Sequence, residues 1–206
     1  MRGDVMDNNY NPPSINPAKR GSVAGTVDFI ITKALQGVDT MLPAKVIAYD
    51  VTSNRASLQI LINVVTTKDE QVARAPVASV PVYQPSAGGF IVRLPIVPGD
   101  TGWIKANDRD ISLFLQALQQ SPPNTARLHS FSDGVFFPDA MNKDVVIADA
   151  DKNALILQTV DGTTKMVMST DTIAFTSTHL THNGKNIGST HVHINGGGTG
   201  NSGVPA

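Results

Sequence analysis

Between Asp144 and His193 the chain carries a pattern that few folds satisfy. Leu155 and Leu157, Met166 and Met168, and Ile173 and Phe175 stand two residues apart, the spacing at which side chains return to one face of a strand. Turn signals separate these pairs: Asp151-Lys-Asn153, Asp161-Gly162, Thr170-Asp171 and Asn183-Gly184. After Gly162 the charged residues are Lys165, Asp171 and Lys185. About 50 residues of short strands do not enclose a core in one chain, and segments this small need staples or partners. The sequence has no cysteine, and one chain offers too few metal ligands. Copies of the same chain, each burying one strand face at a common axis, would supply the missing layer and hide the strand edges. The expectation for 144–190 is therefore an obligate oligomer, with a trimeric β-helix as its form.

The 206 residues leave room for one ordinary domain ahead of that segment. Residues 1–21 read as a polar arm rich in Asn and Pro, unable to bury enough apolar surface to order itself. Within 22–40, Val27, Ile30, Ile31, Ala34, Leu35 and Val38 trace one apolar face of a helix. Ser22 or Thr26 can cap it, and Pro43 ends it. That face either packs on its own domain or contributes to a subunit interface. Residues 41–125 turn to strand signals at 44–49, 55–65, 80–83, 90–94 and 101–106, followed by a helix over 111–119. Five short strands of this kind fit a small closed barrel of OB type. Residues 126–143 read as a connector and 191–206 as a tip. The fold class expected is all-β with short flanking helices: an OB-fold barrel followed by an intertwined trimeric β-helix needle.

Composition excludes several roles. Lys and Arg total 16 against 17 Asp and Glu, a net charge of −1, so there is no basic footprint for nucleic acid. Tyr83, Phe90 and Trp103 are scattered, and Lys45, Arg55, Arg93 and Lys105 have acidic company, unlike an oligonucleotide-binding groove. Without cysteine there is no disulfide framework, thiolate zinc site or cysteine nucleophile. No window reaches the roughly 18 apolar residues of a membrane span, and residues 1–9 lack the apolar stretch of a signal peptide.

His191-Val192-His193 is the strongest chemical motif. In a strand both imidazoles face the same way, giving two nitrogen ligands per chain and six from three chains. An all-nitrogen cage of six suits an iron-class divalent ion, though imidazole suits zinc, nickel and copper alike, and on one chain by itself the alternative reading is a pair of exposed tail histidines. The glycines at 196, 197, 198 and 200 suit a chain folding back at a narrow vertex. His179 and His182 lack the helical spacing of a metalloprotease and read as structural or surface residues, with His179 sharing the parity of Ile173 and Phe175. Gly198-Thr-Gly200-Asn-Ser-Gly203 matches a dinucleotide fingerprint formally but has no βαβ unit around it. His129-Ser130 with Asp133 suggests a hydrolase only superficially, since no nucleophile-elbow pattern accompanies it.

Four further stretches carry a family likeness: Pro43-Ala-Lys-Val-Ile-Ala-Tyr-Asp50, Pro98-Gly-Asp-Thr-Gly-Trp-Ile104, Arg109-Asp-Ile111 and His129-Ser-Phe-Ser-Asp-Gly-Val-Phe-Phe-Pro138. With the terminal His-x-His they resemble the central spike proteins of contractile-tailed bacteriophages, over roughly 43–193. The resemblance implies a homotrimer in the virion, at the tip of the tail baseplate, joined to tail tube or hub proteins through the N-terminal and OB region. It implies a needle that pierces the host outer membrane on sheath contraction. It also implies one iron ion per trimer at the apex, held by His191 and His193 of three chains. Neither an enzymatic activity, a small-molecule substrate nor nucleic-acid binding is expected. Two other readings are an oligomeric OB-fold module binding nucleic acid or sugar, and a metalloenzyme built on His191 and His193 with an open coordination position.

Overall fold

The computed structural model describes residues 21–65, 70–141 and 145–192. Most of the 1–21 arm, His193 and the glycine-rich tail lie outside the described residues. The chain divides into two compact units, 1–139 and 140–206.

The first unit opens with α1 (Val23–Gln36). The Ser22 hydroxyl accepts the Gly25 N–H at 3.0 Å, as expected of an N-cap, and Gly37 closes the last turn. The helix has no buried residue. Packing of its apolar stripe on its own domain is therefore not what the structure shows.

The barrel follows: β1 (Met41–Asp50), β2 (Arg55–Ile60), the small β3 (Val64–Val65) and β4 (Gln71–Val72), then β5 (Val77–Pro81). Next come β6 (Ser86–Ala87), β7 (Phe90–Ile91), β8 (Thr101–Arg109), α2 (Ser112–Ala117) and β9 (Leu128–Pro138). The main sheet has the order β5-β2-β1-β8-β9, antiparallel throughout. A parallel bridge from Val82 to Phe136, with the Tyr83 N–H donating to the Phe136 carbonyl at 2.8 Å, brings its two ends together. The result is a nearly closed, OB-like barrel.

Strand alternation explains the closure. In β2, Ala56, Leu58 and Ile60 are buried while Arg55, Ser57 and Gln59 are half-buried; in β8, Gly102, Ile104 and Ala106 point inward. Both sets meet Ala44 and Val46 of β1 and Phe131 and Phe136 of β9 in one core. Phe136 fills the middle, and Gly102 makes room for it: a Cβ at Gly102 would stand 2.6 Å from the Phe136 ring and closer still to the Phe137 carbonyl. At the β1–β2 turn, Asp50 accepts the Thr52 N–H and the Ser53 hydroxyl, and Asn54 adopts a left-handed φ of 53°.

The fifth strand of the sheet differs from expectation. It is β9, which runs through the stretch read as a connector, whereas the strand expected at 90–94 is reduced to the β6–β7 hairpin outside the barrel. Ser130, Ser132 and Asp133 hid β9 from a pattern search. A register shift opposite Lys105–Asn107 breaks its alternation there.

The second unit contains a 3-10 turn at Asp149–Asp151, β10 (Leu155–Gln158), β11 (Lys165–Met168), β12 (Ile173–Thr176), β13 (Thr181–His182) and β14 (Lys185–Asn186). β10, β11 and β12 form an antiparallel meander, and β13–β14 a hairpin. The turn signals lie where expected. Asp161 accepts the hydroxyls of Thr159 and Thr163 and the Thr163 N–H between β10 and β11, which lowers its pKa. Asn183 and Gly184 take φ of 48° and 75°, a left-handed pair suited to a two-residue hairpin.

Candidate functional site

Registers in the meander align the period-two pairs into two rows. Leu155 faces Met168, which faces Ile173; Leu157 faces Met166, which faces Phe175. Six apolar side chains from three strands thus share one face. Leu155, Leu157, Ile173 and Phe175 remain 58–63% exposed. Among the described residues of this unit, Val167 on the opposite face is the one buried apolar side chain. The opposite face also holds a close ion pair, Lys165 with Asp151, both mostly shielded from solvent. Among the described residues of this unit nothing covers that face, and apolar faces left open in this way are commonly contact surfaces.

His191 is set by a tight turn. The Asn186 side chain accepts the Gly188 N–H and donates to the Thr190 hydroxyl, each at 2.9 Å, and the Gly188 carbonyl accepts the His191 N–H at 3.1 Å. The same carbonyl lies 2.7 Å from Nδ1 of the His191 ring. A carbonyl only accepts, so Nδ1 carries a proton, and in the neutral ring the lone pair sits on Nε2. Donation of one ring N–H to a backbone carbonyl is the arrangement that orients metal-ligating histidines. His193 lies outside the described residues. His182 sits exposed in β13 opposite Lys185, and the His179 carbonyl accepts the Ser177 hydroxyl. Among the described residues no three His, Asp or Glu come together as a metal site.

The barrel contains one polar constellation that the sequence did not single out. Arg127 donates from Nε and Nη2 to the two Asp133 oxygens, both at 3.0 Å, and from Nη2 to Asp110 at 3.1 Å. Both carboxylates are buried. The Ser112 hydroxyl and N–H and the Thr125 hydroxyl, helped by Arg127, lower the Asp110 pKa to about 2. The cluster fastens the loop carrying α2 to the ends of β8 and β9. Local spacing gives no signal for it, since its members are 6 and 17 positions apart. It also takes up one member of the His129, Ser130 and Asp133 set. Asp133 is taken up by Arg127, and the nearest carboxylate to His129 is Asp108, at 3.7 Å.

Two of the four basic residues considered for a nucleic-acid groove are occupied within the barrel. Arg55 donates to the Ser79 carbonyl, and Arg93 to the Val51 carbonyl and Tyr49 hydroxyl. No helix among the described residues is long and apolar enough to cross a membrane.

Compared with known protein families, residues 42–139 match the model described as "Phage protein Gp138 N-terminal domain". The match spans β1 to the residue after β9, the whole barrel. No curated protein matches the chain.

Proposed function

We propose, from the match of residues 42–139 to the phage Gp138 N-terminal domain model, that the chain is the central spike of a contractile phage tail. In this reading it is a non-enzymatic homotrimer at the tip of the baseplate. The barrels form a collar on tail tube or hub proteins, and the second unit forms the needle that pierces the host outer membrane when the sheath contracts. The observation that carries the proposal is the two-row apolar face of β10–β12, exposed on a unit with a single buried apolar side chain among its described residues. Three such faces turned to a common axis would cover one another, and strands paired between chains would give stiffness along that axis.

The apex would hold one iron ion through His191 and His193 of each chain. The His191 ring fits that role, since donation from its Nδ1 to the Gly188 carbonyl is the kind of backbone hydrogen bond that orients a ligating imidazole. A bound ion of this kind would pin three chain ends at the place where strands fray most readily.

Native mass and metal content of chelator-washed protein test the reading together. Three chains with one tightly held iron are expected, and His191→Ala should release the metal while the trimer persists. A monomer, or one metal per chain, would sink it.

A further inference from the structure

The α1 helix presents a second apolar surface, at the opposite end of the sequence from the histidines. Ala24, Val27, Ile31 and Ala34 recur at alternating spacings of three and four, and Val38 continues the series just past the Gly37 cap. That is a heptad seam, and Ile30 and Leu35 widen it on either side. None of these residues is buried; Ile30 is 59% and Leu35 66% exposed. Phe29 lies on the outer side of the helix, where the Lys33 ammonium stands 5.9 Å from its ring.

The helix stands clear of its barrel although its C-terminal end is fastened there. The Asp39 N–H donates to the His129 carbonyl at 3.1 Å, the Asp39 carboxylate pairs with Arg74 at 2.8 Å, and the Thr40 carbonyl accepts the Ala106 N–H at 2.8 Å. The absence of packing is thus not the looseness of a free end. The exposed stripe offers apolar area on the order of 500 Å², near the upper end of what a monomer leaves open. An i, i+3, i+7 seam is the pattern that a like helix covers, knob into hole. β-branched residues at both heptad positions of the seam, Val27 at one and Ile31 and Val38 at the other, favour more than two strands.

We propose that α1 packs against α1 of two further copies as a short parallel three-helix bundle, clamping the trimer at its N-terminal end. Its stoichiometry rests on the homotrimer proposed above. Two heptads are too few to associate alone, but chains joined elsewhere hold the helices at high effective concentration.

The natural absence of cysteine makes the test direct. Full-length Ile31→Cys and Val27→Cys, at the seam, and Phe29→Cys, on the outer face, each carry one thiol. Under mild oxidation the seam variants should form a disulfide-linked dimer involving at most about two chains in three, since the third thiol of a trimer has no mate. Phe29→Cys should stay uncrosslinked. A native mass of three chains with no seam crosslink, or with equal crosslinking at Phe29, overturns the helix bundle and leaves the spike reading intact. A monomeric native mass overturns both.

Discussion

Replacing Phe175 by serine tests whether the β10–β12 face is buried between chains. Phe175 faces Met166 across β11 and is 58% exposed in the single chain. A phenylalanine has roughly 200 Å² to bury, so about 120 Å² stands open here. At about 25 cal/mol per Å², covering that area contributes about 3 kcal/mol per chain. Symmetry repeats the loss three times, so Phe175→Ser weakens the assembly by about 9 kcal/mol, roughly six decades in the trimer dissociation constant at about 1.4 kcal/mol per decade. Thr176→Ser, on the other face of the same strand, changes no apolar contact in this layer and serves as the control. Sedimentation velocity across a dilution series reads the effect as dissociation of Phe175→Ser at concentrations where wild type and Thr176→Ser stay assembled. If Phe175→Ser remains as tightly assembled as wild type, this face does not lie at the axis and the burial reasoning fails.

Three further outcomes are expected. Gly102→Ala forces a Cβ into the Phe136 ring and the Phe137 carbonyl, so the barrel should lose about 1–3 kcal/mol in denaturant unfolding, as overpacked cores do. Asp110 has a folded pKa of about 2 against an ordinary 3.8, so its contribution to stability is present above about pH 4 and is lost as pH falls toward 2. Asp110→Asn should therefore flatten the acid end of the melting-temperature profile, and an unchanged slope between pH 4 and 2 would refute the linkage. Trp103, the single tryptophan, donates to Asp139 within the barrel and reports on that unit alone. Its fluorescence transition should shift less with protein concentration than loss of the oligomer does, since the barrel core closes within one chain.

Where one chain completes a structure, its pattern was legible. The capped α1 helix, the alternation of β2 and β8, and each turn between β10 and β14 follow from local spacing and turn chemistry. The sequence failed at β9, where Ser130, Ser132 and Asp133 occupy a shifted register and the inward-pointing Asp133 is neutralised by Arg127 from outside the strand. It failed also at Phe90–Leu94, whose apolar run has the strand signature but, among the described residues, ladders with Ser86–Ala87 and not with the main sheet. Strand propensity says that a run fits a pleated surface and not which sheet receives it.

The two units stand differently toward the same burial requirement. In the barrel, Phe136 from β9 crosses to Gly102 and Ile104 on β8, so the inward faces of five strands cover one another. In the second unit Leu155, Leu157, Met166, Met168, Ile173 and Phe175 all lie on one side of a three-stranded sheet, and among the described residues of that unit no further strand covers them. An intramolecular site can be recognised by the contacts its residues make, as Arg127 with its two carboxylates shows. A site made of repeated copies is recognised within one chain by the contacts its residues lack. Low charge after Gly162 and apolar pairs spaced by two were the sequence form of that deficit, and the exposed rows are its structural form. The α1 stripe is exposed in the same way at helical spacing, so physically independent patterns at both ends of the described chain support the proposed assembly.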